Sequence, residues 1–244
     1  MSQILTADDI HLWLADLDQP PTPLLELAAI LTADEQERAA RFRFPEHQAR
    51  FIAGRGLLRE LLGGYLNRPA AALRFSQGSH GKPQLAGEEA AAGLHFNLAH
   101  SGHRVLYAVA RREVGVDLEE TDRSVDDAAI IHRVCGLREW AAFQSVPPAQ
   151  RQKAFFACWT RKEAIAKALG AGFASEWRTL DVCFQDGEPP DGRTRMRDPS
   201  GREWSLMNLL LEPGWIGALA AVGAGWRYQF LSPIELNLYL NRSD

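Results

Sequence analysis

Cysteine is scarce in this 244-residue chain: Cys135, Cys158 and Cys183 are odd in number and widely spaced. No Cys-x-x-Cys pair occurs, so neither a zinc site nor a disulfide framework is suggested. The expectation is free thiols, buried or half-buried, in a reducing compartment. Long apolar runs are missing as well. The longest weakly apolar stretch, Gly214 to Trp226, is too short and too rich in glycine to span a bilayer. The opening Met1-Ser2-Gln3-Ile4-Leu5 has no basic region ahead of an apolar core, so no signal peptide is expected. Together these point to a soluble, cytoplasmic protein. An excess of positive charge is absent too. The formal net charge is -4, which excludes a global pull on nucleic acid and leaves any phosphate binding to local clusters.

Hydrophobic residues make up 46% and charged residues 24% of the chain, ordinary for a globular protein. The length suits one large domain or two small ones. Ile10 to Leu17 alternates as an opening strand does, and Asp18-Gln19-Pro20-Pro21-Thr22-Pro23 closes it. From Thr32 the pattern turns helical, with Thr32 and Glu35 spaced as a capping box. A second helix is expected from about Pro45 to Tyr65, anchored by Phe51, Leu58, Leu61 and Leu62 and fraying at Gly63-Gly64. This region carries Arg38, Arg41, Arg43, Arg50, Arg55 and Arg59, which taken singly read as a solvated basic face.

The middle of the chain reads as strands: Leu94 to Leu98, then Val105 to Ala110 after a Ser101-Gly102 turn, then Val114 to Leu118. A helical stretch is expected after Asp122 and breaks at Pro147-Pro148. A strongly apolar helix follows from about Gln150 to Leu169, with Gly170 and Gly172 as stops. Asp186 to Gly201 reads as a mobile loop, and Trp204 to Leu231 as further strands. Past about Thr179 no motif is evident.

Charge inside the apolar elements carries the chemical information. On a strand, Asp117 and Glu119 share a face, while Val116 and Leu118 pack the other way. Adjacent carboxylates raise each other's pKa unless a cation joins them. On the late helix, Trp159, Glu163 and Lys167 recur at spacings of four. That helix is apolar nearly all round, and a buried ionised group there needs a partner or a metal. Carboxylate oxygens suit a hard divalent cation, and the ammonium groups of Lys162 and Lys167 suit phosphate. His100 ends a strand before a Ser-Gly turn, and Lys82 sits in a turn stiffened by Pro83. Each is either a plain structural residue or an anion contact.

Gly81-Lys82-Pro83, Phe96-Asn97-Leu98-Ala99-His100-Ser101, Gly115-Val116-Asp117-Leu118-Glu119 and Trp159-Thr160-Arg161-Lys162-Glu163-Ala164-Ile165-Ala166-Lys167-Ala168-Leu169-Gly170 occur in this order. Together they resemble the successive signatures of the Sfp-type 4′-phosphopantetheinyl transferases, over most of the chain. The Trp-x-x-Lys-Glu-Ala element is the specific one. The resemblance implies an α+β fold of two similar halves, with the active site in the cleft between them. We place the halves at 1–112 and 113–244, the second carrying the metal-binding carboxylates.

The resemblance further implies that Mg²⁺ joins the pyrophosphate of coenzyme A to Asp117, Glu119 and Glu163. Lys162 and Lys167 would contact the phosphates, and His100 and Lys82 the 3′-phosphate side. Arg38 and Arg50 match the basic residues that touch the nucleotide. Where the family commonly has Ser before the motif histidine, this chain has Ala99, a missing hydroxyl for which Ser101 or a backbone amide could substitute.

The implied reaction has a serine hydroxyl of an apo carrier protein (acyl, polyketide or peptidyl) attack the β-phosphorus of coenzyme A, releasing 3′,5′-ADP. Glu163 is the candidate base, with Lys162 and Lys167 offsetting phosphoryl charge, on a monomeric enzyme. Two other readings stay open at this point: a non-catalytic module that binds coenzyme A or a carrier protein, and a metal-dependent transferase acting on another pyrophosphate.

Overall fold

Strand β1 (Asp9–Asp16) opens the architecture, followed by helices α1 (Leu24–Ala29), α2 (Ala33–Ala40) and α3 (Pro45–Leu66). A short hairpin of β2 (Phe75–Gln77) and β3 (Pro83–Leu85) leads into β4 (His95–Ser101), β5 (Arg104–Ala110) and β6 (Val114–Glu120). Helices α4 (Leu137–Ser145) and α5 (Arg151–Leu169) come next, then β7 (Thr194–Arg197), β8 (Glu203–Leu209), β9 (Trp215–Val222) and β10 (Arg227–Leu231). The computed structural model describes residues 5–78, 81–122, 131, 134–170, 180–182 and 192–232.

These elements form two α+β halves. The first sheet has strand order β10-β1-β5-β4, the second β6-β9-β8-β7, and β2-β3 stands apart. All pairings in the two large sheets are antiparallel except β1 with β10. β10 thus crosses back to complete the first sheet, where Arg227 pairs with Asp9 at 2.6 Å.

The continuous apolar run of β5 follows from burial on both faces. Val105, Tyr107 and Val109 pack with Leu57, Leu58, Leu61 and Leu62 of α3. Leu106, Ala108 and Ala110 pack with Val114, Val116, Leu118 and Leu219 of the second sheet. That sheet turns its other face, through Leu206, Ala218 and Ala220, onto Phe155, Phe156, Ile165 and Ala168 of α5. The result is four layers, α3, sheet, sheet and α5, with a core at each contact.

The capping box forms, the Thr32 N–H donating to Glu35 Oε2 at 3.0 Å. Gly170 ends α5 in the left-handed conformation, φ 64°. Several expectations are corrected. Phe51 is half-buried and is not part of the core. Gly63 does not mark a fraying end. The helix runs on to Leu66 and stops at Asn67, φ 50°, and a Cβ on Gly63 would lie 2.8 Å from the carbonyl of Arg68. Within the loop expected over Asp186–Gly201, Thr194–Arg197 forms β7, paired with β8. Of the helical stretch expected between Asp122 and Pro147, Leu137–Ser145 forms α4, while 123–130 and 132–133 lie outside the described residues, as do 183–191, Gly172 and Cys183. Cys135 and Cys158 are buried, their sulfurs 3.9 Å apart and not bonded to each other. Among the described residues, no helix is long and apolar enough to cross a membrane.

Candidate functional site

Gly115 fixes how closely β6 lies on α5. A Cβ there would sit 2.1 Å from the carbonyl oxygen of Ala164 and 2.5 Å from the Ala168 nitrogen, so only glycine permits the contact. Two residues further along β6, Asp117 meets the face of α5 that carries Glu163 and Lys167. Lys167 Nζ donates to Asp117 Oδ1 at 2.7 Å. Asp117 is 5% exposed, and its second oxygen, Oδ2, is buried with no hydrogen-bond partner. Burial pushes its carboxyl up to about 6, with Glu119 adding to the rise and Lys167 opposing it. Glu163 is pushed up to about 7, first by burial, then by the negative charges of Asp117 and Glu119.

Glu119 is held from both halves. Ser101 Oγ donates to its Oε2 at 2.9 Å, and Trp159 Nε1 to its Oε1 at 3.2 Å. The oxygens of Asp117, Glu119 and Glu163 do not all lie within 4.8 Å of one another. The donor set still fits a hard divalent cation. It is all carboxylate, one buried oxygen is orphaned, and burial together with neighbouring carboxylates raises the pKa of two of the acids, a cost that a cation would relieve.

Lys167 also lines a cavity of about 1000 Å³ enclosed by α2, α3, the β2–β3 hairpin and β4–β5. Its wall carries Arg38, His47, Arg50, Arg55 and His100 as cationic or titratable groups, with Phe42, Phe51 and Phe75 as apolar surface. Arg38 lies over the Phe51 ring at 5.3 Å, and Arg55 over Phe75 at 4.3 Å. Arg50 grips Asp18 through two hydrogen bonds of 2.7 and 2.8 Å. Glu35 pairs with Arg55 and with buried Arg59, which also donates to the carbonyls of Ala70 and Leu73. Arg59 is therefore a structural strut, neither a solvated charge nor a ligand contact. Phe96, Leu98 and His100 point to the α3 side of β4 by strand alternation, which brings His100 to the cavity. Protein atoms around its ring and the Lys167 ammonium hold its pKa below the usual imidazole value.

Two expected ligand residues are elsewhere. Lys162 is fully buried on another flank of α5, paired with Glu139 at 2.6 Å and donating to the Leu180 carbonyl at 2.7 Å. It makes no approach to the cavity. Lys82 turns away from the cavity that its neighbours Gly81 and Pro83 line. Its ammonium donates to the carbonyls of Val114, at 3.2 Å, and Ala168, at 3.3 Å, near the C-terminal end of α5, where the helix dipole favours a cation. Burial pulls it down to about 8. Ser101 does not replace the hydroxyl missing at Ala99, because its own is committed to Glu119 and Glu120. His47, Phe42 and Phe75 do not stand out in the sequence, where Phe51 reads as core. For Phe42 and Phe51 the available signal is their interleaving with Arg38, Arg41, Arg43, Arg50 and Arg55.

Two family models match the chain. Residues 19–112 fit "4′-phosphopantetheinyl transferase, N-terminal", and residues 113–220 fit "4′-phosphopantetheinyl transferase superfamily". The chain is 41% identical over 227 residues to the 4′-phosphopantetheinyl transferase HetI of Nostoc sp., covering 93% of each chain. It belongs to the 4′-phosphopantetheinyl transferase superfamily. A 4′-phosphopantetheinyl transferase of Bacillus subtilis is 27% identical over 177 residues, covering 72% of this chain and 75% of its own. The L-aminoadipate-semialdehyde dehydrogenase-phosphopantetheinyl transferase of Rattus norvegicus is 30% identical over 172 residues, covering 66% of this chain and 56% of its own.

Proposed function

We propose that this protein moves the 4′-phosphopantetheine arm of coenzyme A onto a serine of an apo carrier protein, releasing 3′,5′-ADP. The observation that carries the reading is Lys167, which joins the buried Asp117 carboxylate to the wall of the large cationic cavity. In this reading the chain works as a cytoplasmic monomer of two halves, 1–112 and 113–244, with β10 of the second completing the sheet of the first. Coenzyme A lies in the cavity, with Arg38, Arg50 and His100 toward the nucleotide and Lys167 toward the pyrophosphate.

The serine oxygen forms a bond to the β-phosphorus as the bond from that phosphorus to the bridging oxygen breaks, and the electron pair leaves with 3′,5′-ADP. Glu163, beside Asp117 and Glu119, is the base for the serine proton, directly or through a bound water, help worth about 10²–10⁴-fold. Lys167 places a positive charge where charge collects on the phosphoryl oxygens. A divalent cation such as Mg²⁺, held by Asp117, Glu119 and Glu163, would supply Lewis-acid polarisation of the pyrophosphate. Lys162, buried against Glu139, is not among the residues that line the cavity.

Intact-mass measurement of an apo carrier protein incubated with the enzyme, coenzyme A and Mg²⁺ tests this. The expected result is a gain of one phosphopantetheine arm that disappears with EDTA. No gain on fatty-acid, polyketide or peptide carriers, despite coenzyme A binding, would replace the reading with that of a binding module.

A further inference from the structure

Among the described residues, β6 lies at the edge of its sheet and pairs with β9 on one side only. The N–H groups on its other side therefore need partners, and an unpaired buried N–H costs as much as a lost hydrogen bond. β4, at the edge of the first sheet, supplies them with side chains. Asn97 Oδ1 accepts from the Val116 N–H at 2.8 Å, and Ser101 Oγ accepts from the Glu120 N–H at 3.2 Å. Asn97 and Ser101 are four apart on one face of β4, and Val116 and Glu120 are four apart on β6. The two edges are stitched in register through side chains.

We propose that Ser101, aided by Asn97, is a positioning residue that orients the β6 carboxylates toward a divalent cation and fixes their distance from the cavity. This rests on the reading that Asp117, Glu119 and Glu163 hold such a cation. A hydroxyl has one proton to give. Because Ser101 accepts from the Glu120 N–H, its proton is aimed at Glu119 Oε2, 2.9 Å away. Trp159 holds the other oxygen of Glu119 from α5, so the carboxylate is oriented from both halves at once. An ionised carboxylate has about four lone-pair sites, so accepting from Ser101 and Trp159 does not by itself fill them. Asn97 and Ser101 are 4% and 7% exposed, so water does not substitute for either. His100, next along the strand on the opposite face, lines the cavity, and the seam thereby sets its spacing from Asp117 and Glu119.

The test measures Mn²⁺ binding by electron paramagnetic resonance in the presence of coenzyme A, for the wild type and for Ser101→Ala, Ser101→Cys and Asp117→Ala. Thermal melts in EDTA are run alongside. Losing a group that orients a metal ligand typically weakens metal affinity about 10–100-fold. Ser101→Ala should show a loss in that range while still folded at the assay temperature. Should Ser101→Ala fail to fold, Ser101→Cys, with a similar shape and a weak donor, carries the same expectation. Mn²⁺ binding by the folded Ser101 variants equal to wild type, with Asp117→Ala impaired, would overturn the positioning role and leave the cation site standing. Wild type without Mn²⁺ binding, or Asp117→Ala binding normally, would overturn the cation site and the positioning role together.

Discussion

Glu163 stands four residues before Lys167 on α5, facing Asp117, and its acidity follows from that company. With a folded pKa of about 7 against an ordinary 4.5, it keeps a proton that the unfolded chain has released. The stability tied to that proton is full below the unfolded value and is lost as pH rises through the folded one. Glu163→Gln should therefore stabilise the protein in EDTA by about 1–3 kcal/mol at pH 8, the gain shrinking toward pH 5. Melting curves at the two pH values check this, and a gain independent of pH would contradict it. Lys162 shows how one residue changes the role. On a helix it lies about 100° around from Glu163, which turns it toward Glu139 in the core. Lys162→Met leaves a buried carboxylate uncompensated, a loss of about 3–5 kcal/mol. Denaturant unfolding should register that loss, while any folded fraction keeps its Michaelis constant for coenzyme A. That Asp117, Glu163 and Lys167 are neighbours was legible because strand and helix periodicities align their faces. The pairing of Lys162 with Glu139 was not, because adjacency in a motif does not say which flank of a helix a residue occupies.

At the scale of elements, β6 and α5 form the working unit, and Gly115 allows it. Adding one methyl pushes a Cβ into the backbone of Ala164 and Ala168, which cannot rotate away. Gly115→Ala should cost about 1–3 kcal/mol or more and displace Asp117 from Lys167. Gly54, inside α3, is the contrast. A Cβ there would meet Leu17 Cδ2 at an ordinary 3.5 Å, so Gly54→Ala should gain up to about 1 kcal/mol from helix propensity. Chemical denaturation of the two variants separates close packing from propensity, and equal effects would discredit the packing argument. The long helices α3 and α5 and strands β1, β4, β5 and β6 were legible because their apolar patterns are long and their stops are Gly170 and Pro20-Pro21. The β2–β3 hairpin, β7 and the return of β10 to β1 were not, because three- to five-residue strands acquire their identity from partners distant in sequence.

Across the whole molecule, charge is unevenly spread. The chain is net negative at -4, yet the wall of the cavity beside Lys167 carries Arg38, Arg50 and Arg55 as well. Asp18 and Glu35 partly neutralise Arg50 and Arg55, whereas Arg38 contacts the Phe51 ring, so positive charge remains for an anionic ligand. A local field of this kind is screened over about 10 Å at 0.1 M salt and about 3 Å at 1 M. Coenzyme A carries its phosphates at two places, and each should feel the wall separately. Raising sodium chloride from about 0.05 to 0.5 M should weaken coenzyme A binding by roughly tenfold, mainly through slower association. Dephospho-coenzyme A, without the 3′-phosphate, should show a shallower salt dependence, and Arg38→Ala should bring the two ligands' slopes together. Titration calorimetry across the salt series reads both slopes. Parallel slopes for the two ligands in the wild type would mean that the cavity wall does not read the 3′-phosphate. Equal slopes appearing only in the variant would assign that phosphate to Arg38.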